Sequence, residues 1–312
     1  MFLRKAVKFA LSFATANRAC RLACRSLLQC RMLPFRFRKH LEDRVAWGMP
    51  PMEIRSFAVK VSPGKSIKLS GPIKNPELRD LYWWGREGHD PETMPHFARL
   101  VRSAGIFLDI GCNIGVYSLM AARLNPRVRV YAFEPVPEIL DEFARNVALN
   151  KMAGRITAEP LAVSDRSGRA YIYVSKDSIS SSSLNPSFRQ HQRELTVETV
   201  TVDEYLKRKN IPVPDLVKID VETHEPRVLE GMRGVLADGR TDIICEVLDG
   251  TDSRAMTDLL GEFGYQAYFI TDMGLVRQEA IARRNDIDWR SRQNTPYQNY
   301  IFTKRTLPHI AI

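Results

Sequence analysis

The stretch Ile106-Phe107-Leu108-Asp109-Ile110-Gly111-Cys112-Asn113-Ile114-Gly115, with Glu134-Pro135 nineteen residues beyond Gly115, decides how this chain reads. An apolar run over 106–110 ends in a glycine turn, residues 115–124 carry a helical pattern, and a second apolar run over 128–134 ends on Glu134. The pattern is strand, turn, helix, strand, half of a nucleotide-binding α/β unit. Gly111 and Gly115 let the backbone turn tightly and come close to a ligand. An acid closing the second strand can accept hydrogen bonds from both hydroxyls of a ribose. The expected ligand is therefore an adenosine derivative.

Two cofactor classes use such a unit. A dinucleotide site wants G-x-G-x-x-G so that a helix N-terminus receives a pyrophosphate. Here the string is D-I-G-C-N-I-G, without the third glycine and with a carboxylate just before the turn. Asp109 would repel a pyrophosphate and suits the ammonium group of a methionine moiety. That combination is similar to the glycine loop of class I methyltransferases, with an NAD-dependent oxidoreductase as the alternative.

Downstream, Lys218-Ile219-Asp220-Val221-Glu222-Thr223-His224-Glu225 resembles the K-I-D-V-E-G-x-E signature of the FkbM family of S-adenosylmethionine-dependent methyltransferases. Their loop also has the form D-x-G-x-N-x-G, and Ala162-Val163-Ser164-Asp165 with Gly168 resembles their third-strand segment. The likeness runs from about Tyr82 to Lys304. Thr223 departs from it, standing where the family has glycine; Cys112 replaces a common alanine. The resemblance implies S-adenosylmethionine as cofactor, held by Asp109, Gly111, Asn113, Gly115, Glu134, Pro135, Ala162 and Asp220, and O-methylation of a glycan or small metabolite. Asp220, Glu222, His224 and Glu225 are the catalytic candidates. Their alternation at 220, 222 and 224 would place three side chains on one side of an extended chain, with His224 as a base titrating near neutrality. A helix opened by Glu225-Pro226, with His224 as its cap, is the competing reading of that histidine.

Strands and helices alternate through the expected methyltransferase domain, residues 105–305. The strands are 106–110, 128–134, 156–163, 215–221, 241–248 and 265–270, and the helices are 115–124, 137–150, 225–237 and 253–263. Such alternation predicts a doubly wound, mostly parallel sheet of the class I methyltransferase type. Ala170–Ser175 and Leu195–Val202 interrupt it as an inserted β-hairpin, joined by a serine-rich loop over 178–183 that reads as flexible, in the manner of a lid. Tyr297–Lys304 is expected to complete an antiparallel edge. Before the domain, residues 46–104 read as a small element with strands at Glu53–Val61 and Ser66–Leu69 and a helix capped by Asp90. Residues 306–312 form a short tail.

A chain of 312 residues, 44% hydrophobic and 26% charged, can bury a full core. Its net charge of +10 is not spread evenly: residues 1–40 hold ten Lys or Arg and no acid, while the rest balances 36 basic against 36 acidic residues. A neutral body does not attract a phosphate backbone, and the strand end I-D-V-E differs from the D/N-P-P-Y/F of base methyltransferases. Tyr82, Trp83 and Trp84 could stack on a base or a sugar, although clustered aromatics more often belong to a core or interface. The expected partner is therefore a glycan or small-molecule acceptor and not a nucleic acid. The basic arm, residues 1–45, has apolar residues at helical intervals and offers a peripheral contact with an anionic membrane; a solvated helix reads equally well. Five cysteines, three of them in the arm, lack metal-ligand spacing, so no metal site is expected. Reduced thiols and an intracellular cofactor make the expected location cytoplasmic. The remaining alternative is a non-catalytic membrane-recruited protein that keeps the fold.

Overall fold

In the computed structural model, residues 52–176, 178–281 and 298–307 are described. The basic arm and most of the tail lie outside them. The chain divides into two compact units between Pro91 and Glu92.

The first unit is an antiparallel hairpin of β1 (Glu53–Ser62) and β2 (Lys65–Pro72), followed by α1 (Pro76–Trp84). Period-two burial of Phe57, Val59, Val61, Ile67 and Leu69 gives the hairpin one apolar face. Helix α1 was not expected from the sequence, yet its start is signalled: Asn75 Oδ1 accepts from the Leu78 amide at 3.1 Å, with Pro76 in the first turn. The aromatic run ends α1, where Tyr82 and Trp83 are buried and Tyr82 stands edge-on to Phe57 at 5.2 Å. These two rings are core, not a stacking platform.

The second unit begins with α2 (Thr93–Leu100). Asp90 does not cap it; the cap position is Glu92, and Asp90 takes a φ of 42°. The unit boundary falls ahead of the expected one after residue 104 because Phe97 of α2 packs edge-on against Phe107 and Tyr117, at 5.1 and 4.8 Å.

The central elements follow as β3 (Ile106–Ile110), α3 (Val116–Leu124), β4 (Arg129–Phe133), α4 (Pro137–Leu149) and β5 (Ile156–Glu159). The expected strand 156–163 is cut at Pro160, whose missing N–H cannot continue a ladder. Its second half, β6 (Ala162–Val163), joins a separate three-stranded sheet with β7 (Gly168–Ser175) and β8 (His191–Val200). The inserted hairpin is present as β7 and β8.

The chain returns through α5 (Val202–Lys209), β9 (Leu216–Ile219), α6 (Glu225–Glu230), α7 (Arg233–Asp238), β10 (Asp242–Glu246), α8 (Ser253–Glu262), β11 (Gln266–Thr271), β12 (Gly274–Gln278) and β13 (Asn299–Thr303). The single helix expected over 225–237 is two, because Asp203 accepts from the amides of Gly234 and Val235 at 2.7 and 3.2 Å and so caps a fresh start. The eight-stranded sheet runs β12-β11-β13-β10-β9-β3-β4-β5. Strands β10, β9, β3, β4 and β5 are parallel, as expected; β13 runs antiparallel between β10 and β11, inside the sheet and not at its margin, and β12 is the unforeseen edge. One face packs Leu108, Ile110, Val217, Ile219, Ile243, Cys245, Tyr300 and Phe302 into a continuous core. Cys112 and Cys245 are buried and form no disulfide.

Candidate active site

The site lies where the carboxyl ends of β3 and β9 meet, the place where open α/β sheets bind ligands. Beyond Ile110 the chain turns through left-handed conformations at Gly111, Asn113 and Gly115, with φ of 78°, 48° and 86°. Gly111 has a second constraint: a methyl group there would overlap the carbonyl oxygen of Asp220. A side chain at Gly115 would overlap the Phe143 ring. The loop is fixed from beneath, since the amides of Gly111 and Cys112 both donate to Phe133 O at 3.0 Å and Asn146 Nδ2 donates to Ile114 O at 3.2 Å. Gly111 and Asn113 are its part-exposed members.

Asp109 is 1% exposed and accepts a hydrogen bond from Ser118 Oγ of α3 at 2.6 Å. That contact ties strand to helix across the loop. Glu134, also buried, accepts from the Val136 amide at 2.9 Å through Oε1, while its own amide donates to Glu159 O. Pro135 follows directly, so Glu134 is held at the strand end where the sequence puts it. Ala162 lies in the second sheet opposite Thr199, away from the central ladder.

The segment 220–225 is not extended. Glu222 and Thr223 adopt φ of 56° and 75°, so residues 220, 222 and 224 do not share one side. The organiser of this turn is Glu225. Its carboxylate is 1% exposed; Oε1 accepts from the amides of Val221 and Thr223 at 3.2 and 3.1 Å, and Oε2 from Thr251 Oγ1 at 3.1 Å. Burial pushes its pKa up to about 7. Glu225 thus builds the turn and does not present a free catalytic face.

Asp220 is paired with Lys218, Nζ to Oδ2 at 2.6 Å. Lys218 is 3% exposed and its ammonium also sits 4.7 Å from the centre of the Tyr117 ring. A lysine inside an apolar strand was a visible signal for such a partner. Glu222 is pushed up to about 8 by burial first and then by the charge of Asp220, with Arg189 working against the shift. His224 turns elsewhere: its Nε2 lies 2.9 Å from Ser164 Oγ, and burial lowers it to about 4. It is neutral through the physiological range and does not titrate near neutrality.

The loop between β7 and β8 reaches this turn. Ser183 Oγ donates to Glu222 O at 2.6 Å, and Asn185 Nδ2 donates to Thr223 Oγ1 at 2.9 Å. The serine run is therefore anchored, with residues Ile179–Ser181 in a 3₁₀ turn. No periodicity could have revealed these partners.

The spacing of the loop, Glu134 and the Asp220 turn invites comparison with known proteins, and a model of the methyltransferase FkbM domain matches residues 109–267. The chain belongs to this family. It is 29% identical over 157 residues to the hexuronic acid methyltransferase AglP of Haloferax volcanii, covering 50% of this chain and 62% of that one. It is 25% identical over 177 residues to the 31-O-demethyl-FK506 methyltransferase FkbM of Streptomyces tacrolimicus, covering 48% of this chain and 67% of that one. The chain thus matches less than two thirds of the length of the first of these relatives and about two thirds of the second. The crystal structure of an FkbM methyltransferase from Methylobacillus flagellatus overlaps with a TM-score of 0.43 and 15% identity, over 68% of this chain and 50% of that one.

Proposed function

We propose that this FkbM-family protein transfers a methyl group from S-adenosylmethionine to a hydroxyl of a glycan or small metabolite. The observation that carries the reading is the close approach of the Gly111 turn to Asp220, which joins the two family motifs in one crevice with Glu134 at its margin. The residues fit the cofactor. The missing side chain at Gly111 lets the Asp220 backbone close against the turn, and a buried carboxylate at a strand end matches a pair of ribose hydroxyls. In this reading Gly111, Asn113, Gly115, Glu134 and Pro135 hold the nucleoside and methionine portions, Asp109 and Ala162 shape the surrounding backbone, and Asp220 borders the methionine end. When bound, the cofactor supplies an electrophilic methyl group.

The chain's own chemistry then lies with Asp220 and Glu222. Asp220, its charge balanced by Lys218, orients the acceptor hydroxyl, and Glu222 takes its proton, a task for which a carboxylate with a raised pKa is suited. Glu225 positions the turn that carries Glu222. The acceptor class draws support from the relatives, one named for a hexuronic acid and one for 31-O-demethyl-FK506, and from the neutral charge of residues 41–312.

Calorimetry with S-adenosylhomocysteine tests the cofactor. Two charge-assisted hydrogen bonds of about 1.5–3 kcal/mol each imply that Glu134→Ala weakens binding at least about tenfold. Unchanged affinity in a folded variant, or tighter binding of NAD by the parent, refutes the assignment. Labelled S-adenosylmethionine added to extracts, followed by mass spectrometry, identifies the methylated product.

A further inference from the structure

We propose that Asn299, with Glu246, forms an acceptor-binding subsite for a ligand bearing several hydroxyl groups, a proposal that rests on the methyl-transfer reading above. The ladder registers carry it. Asn299 is opposite Glu246, and Cys245 is opposite Ile219, so Glu246 stands beside Asp220 when the register is continued by one residue. The Asp220 amide donates to Ile110 O at 3.0 Å, which keeps that residue in line with the ladder. Side chains alternate along strands, and Ile219, Cys245 and Tyr300 all point into the core on one face. Asp220, Glu246 and Asn299 therefore form a row on the opposite face, at the carboxyl edge of the sheet. The hydrogen bond from Thr303 Oγ1 to Asp242 Oδ1, at 2.6 Å, confirms that alternate residues of β13 and β10 share that face.

Asn299 Oδ1 is the informative atom. The residue is 5% exposed and this oxygen is buried without a hydrogen-bond partner. A buried carbonyl oxygen left unpaired is costly, and in native proteins it calls for a donor. The rest of the row, the carboxylates of Asp220 and Glu246, also accepts. A group bound across it must therefore donate repeatedly, as adjacent hydroxyls do. Neighbouring strands are about 4.8 Å apart, so the three side chains span roughly 10 Å, a width that one sugar ring with its substituents can bridge. The row begins beside the Gly111 turn, and its far end at Asn299 lies two strands from Asp220. It thus extends the site in the direction an acceptor would occupy.

The test uses the full chain saturated with S-adenosylhomocysteine and titrated with methyl glucuronoside and methyl glucoside, read by saturation-transfer NMR. Asn299→Leu keeps the size and removes the oxygen. The expected result is glycoside binding by the parent, at least tenfold weaker glycoside binding by the variant, unchanged S-adenosylhomocysteine affinity, and a melting temperature equal to or above the parent's, because an unpaired buried oxygen has been exchanged for an apolar group. Asn299→Ser repeats the comparison if the leucine variant does not fold. Glycoside binding undiminished in the folded variant, or a parent that binds neither glycoside, overturns the subsite. Failure of the parent to bind S-adenosylhomocysteine overturns instead the reading on which it rests.

Discussion

A carboxyl group that ionises near pH 8 is a far stronger proton acceptor than an exposed glutamate, and Glu222 is such a group because it is buried beside Asp220. If it takes the acceptor proton it must be ionised, so turnover rises with pH and levels off above about 8. Glu222→Gln should lower turnover by about 100-fold or more and remove that limb, as measured by a pH–rate profile. His224→Gln should leave the limb in place, since His224 is already neutral above about 4, and should cost only about 1 kcal/mol of stability through its lost bond to Ser164. The same Glu222 shift has a thermodynamic face. Its pKa is higher folded than unfolded, so its stabilising contribution is full below its ordinary 4.5 and is lost as pH rises through about 8. Melting temperatures of Glu222→Gln should accordingly fall less between pH 5 and 8.5 than those of the parent.

The turn at 220–225 is a small element held by one buried acid. Glu225→Ala strands the amides of Val221 and Thr223, which implies a loss of about 2–4 kcal/mol, readable by urea unfolding. Thr223 has a β-branched side chain at a φ of 75°, a conformation that costs about 1–3 kcal/mol. Thr223→Gly, the family residue, removes that strain and the bond from Asn185 together. We expect near-parental stability and a looser β7–β8 loop, measured as faster amide exchange at Asn185. The strand–turn–helix order was legible because apolar periods of two and 3.6 mark strands and helices, and the glycine loop because its spacing is local. The shape of 220–225 was not legible: the positive φ at Glu222 and Thr223 depends on a carboxylate that folds back from Glu225, and no period encodes it. An extended chain was the default, and it misplaced His224. The helix break before Arg233 needed Asp203, thirty residues away in sequence, and β12 needed β11 as its partner.

At the scale of the molecule, charge is segregated. Deleting residues 1–40 removes the entire excess of +10 and should leave S-adenosylhomocysteine binding intact while abolishing sedimentation with anionic liposomes. Equal sedimentation of the truncated chain refutes a membrane role for the arm. Among the described residues no helix is long and apolar enough to cross a membrane. The placement of β13 between β10 and β11 bears on how the protein is made. Among the described residues β13 is the last strand, and it joins two strands made before it, so until residue 303 has emerged, β10 and β11 each carry an unpaired edge. Nascent chains stalled before Asn299 would be prone to edge-to-edge association, and a nonsense mutation at any codon from 299 to 303 would act as an aggregation mutation even though it spares the glycine loop and the Asp220 turn.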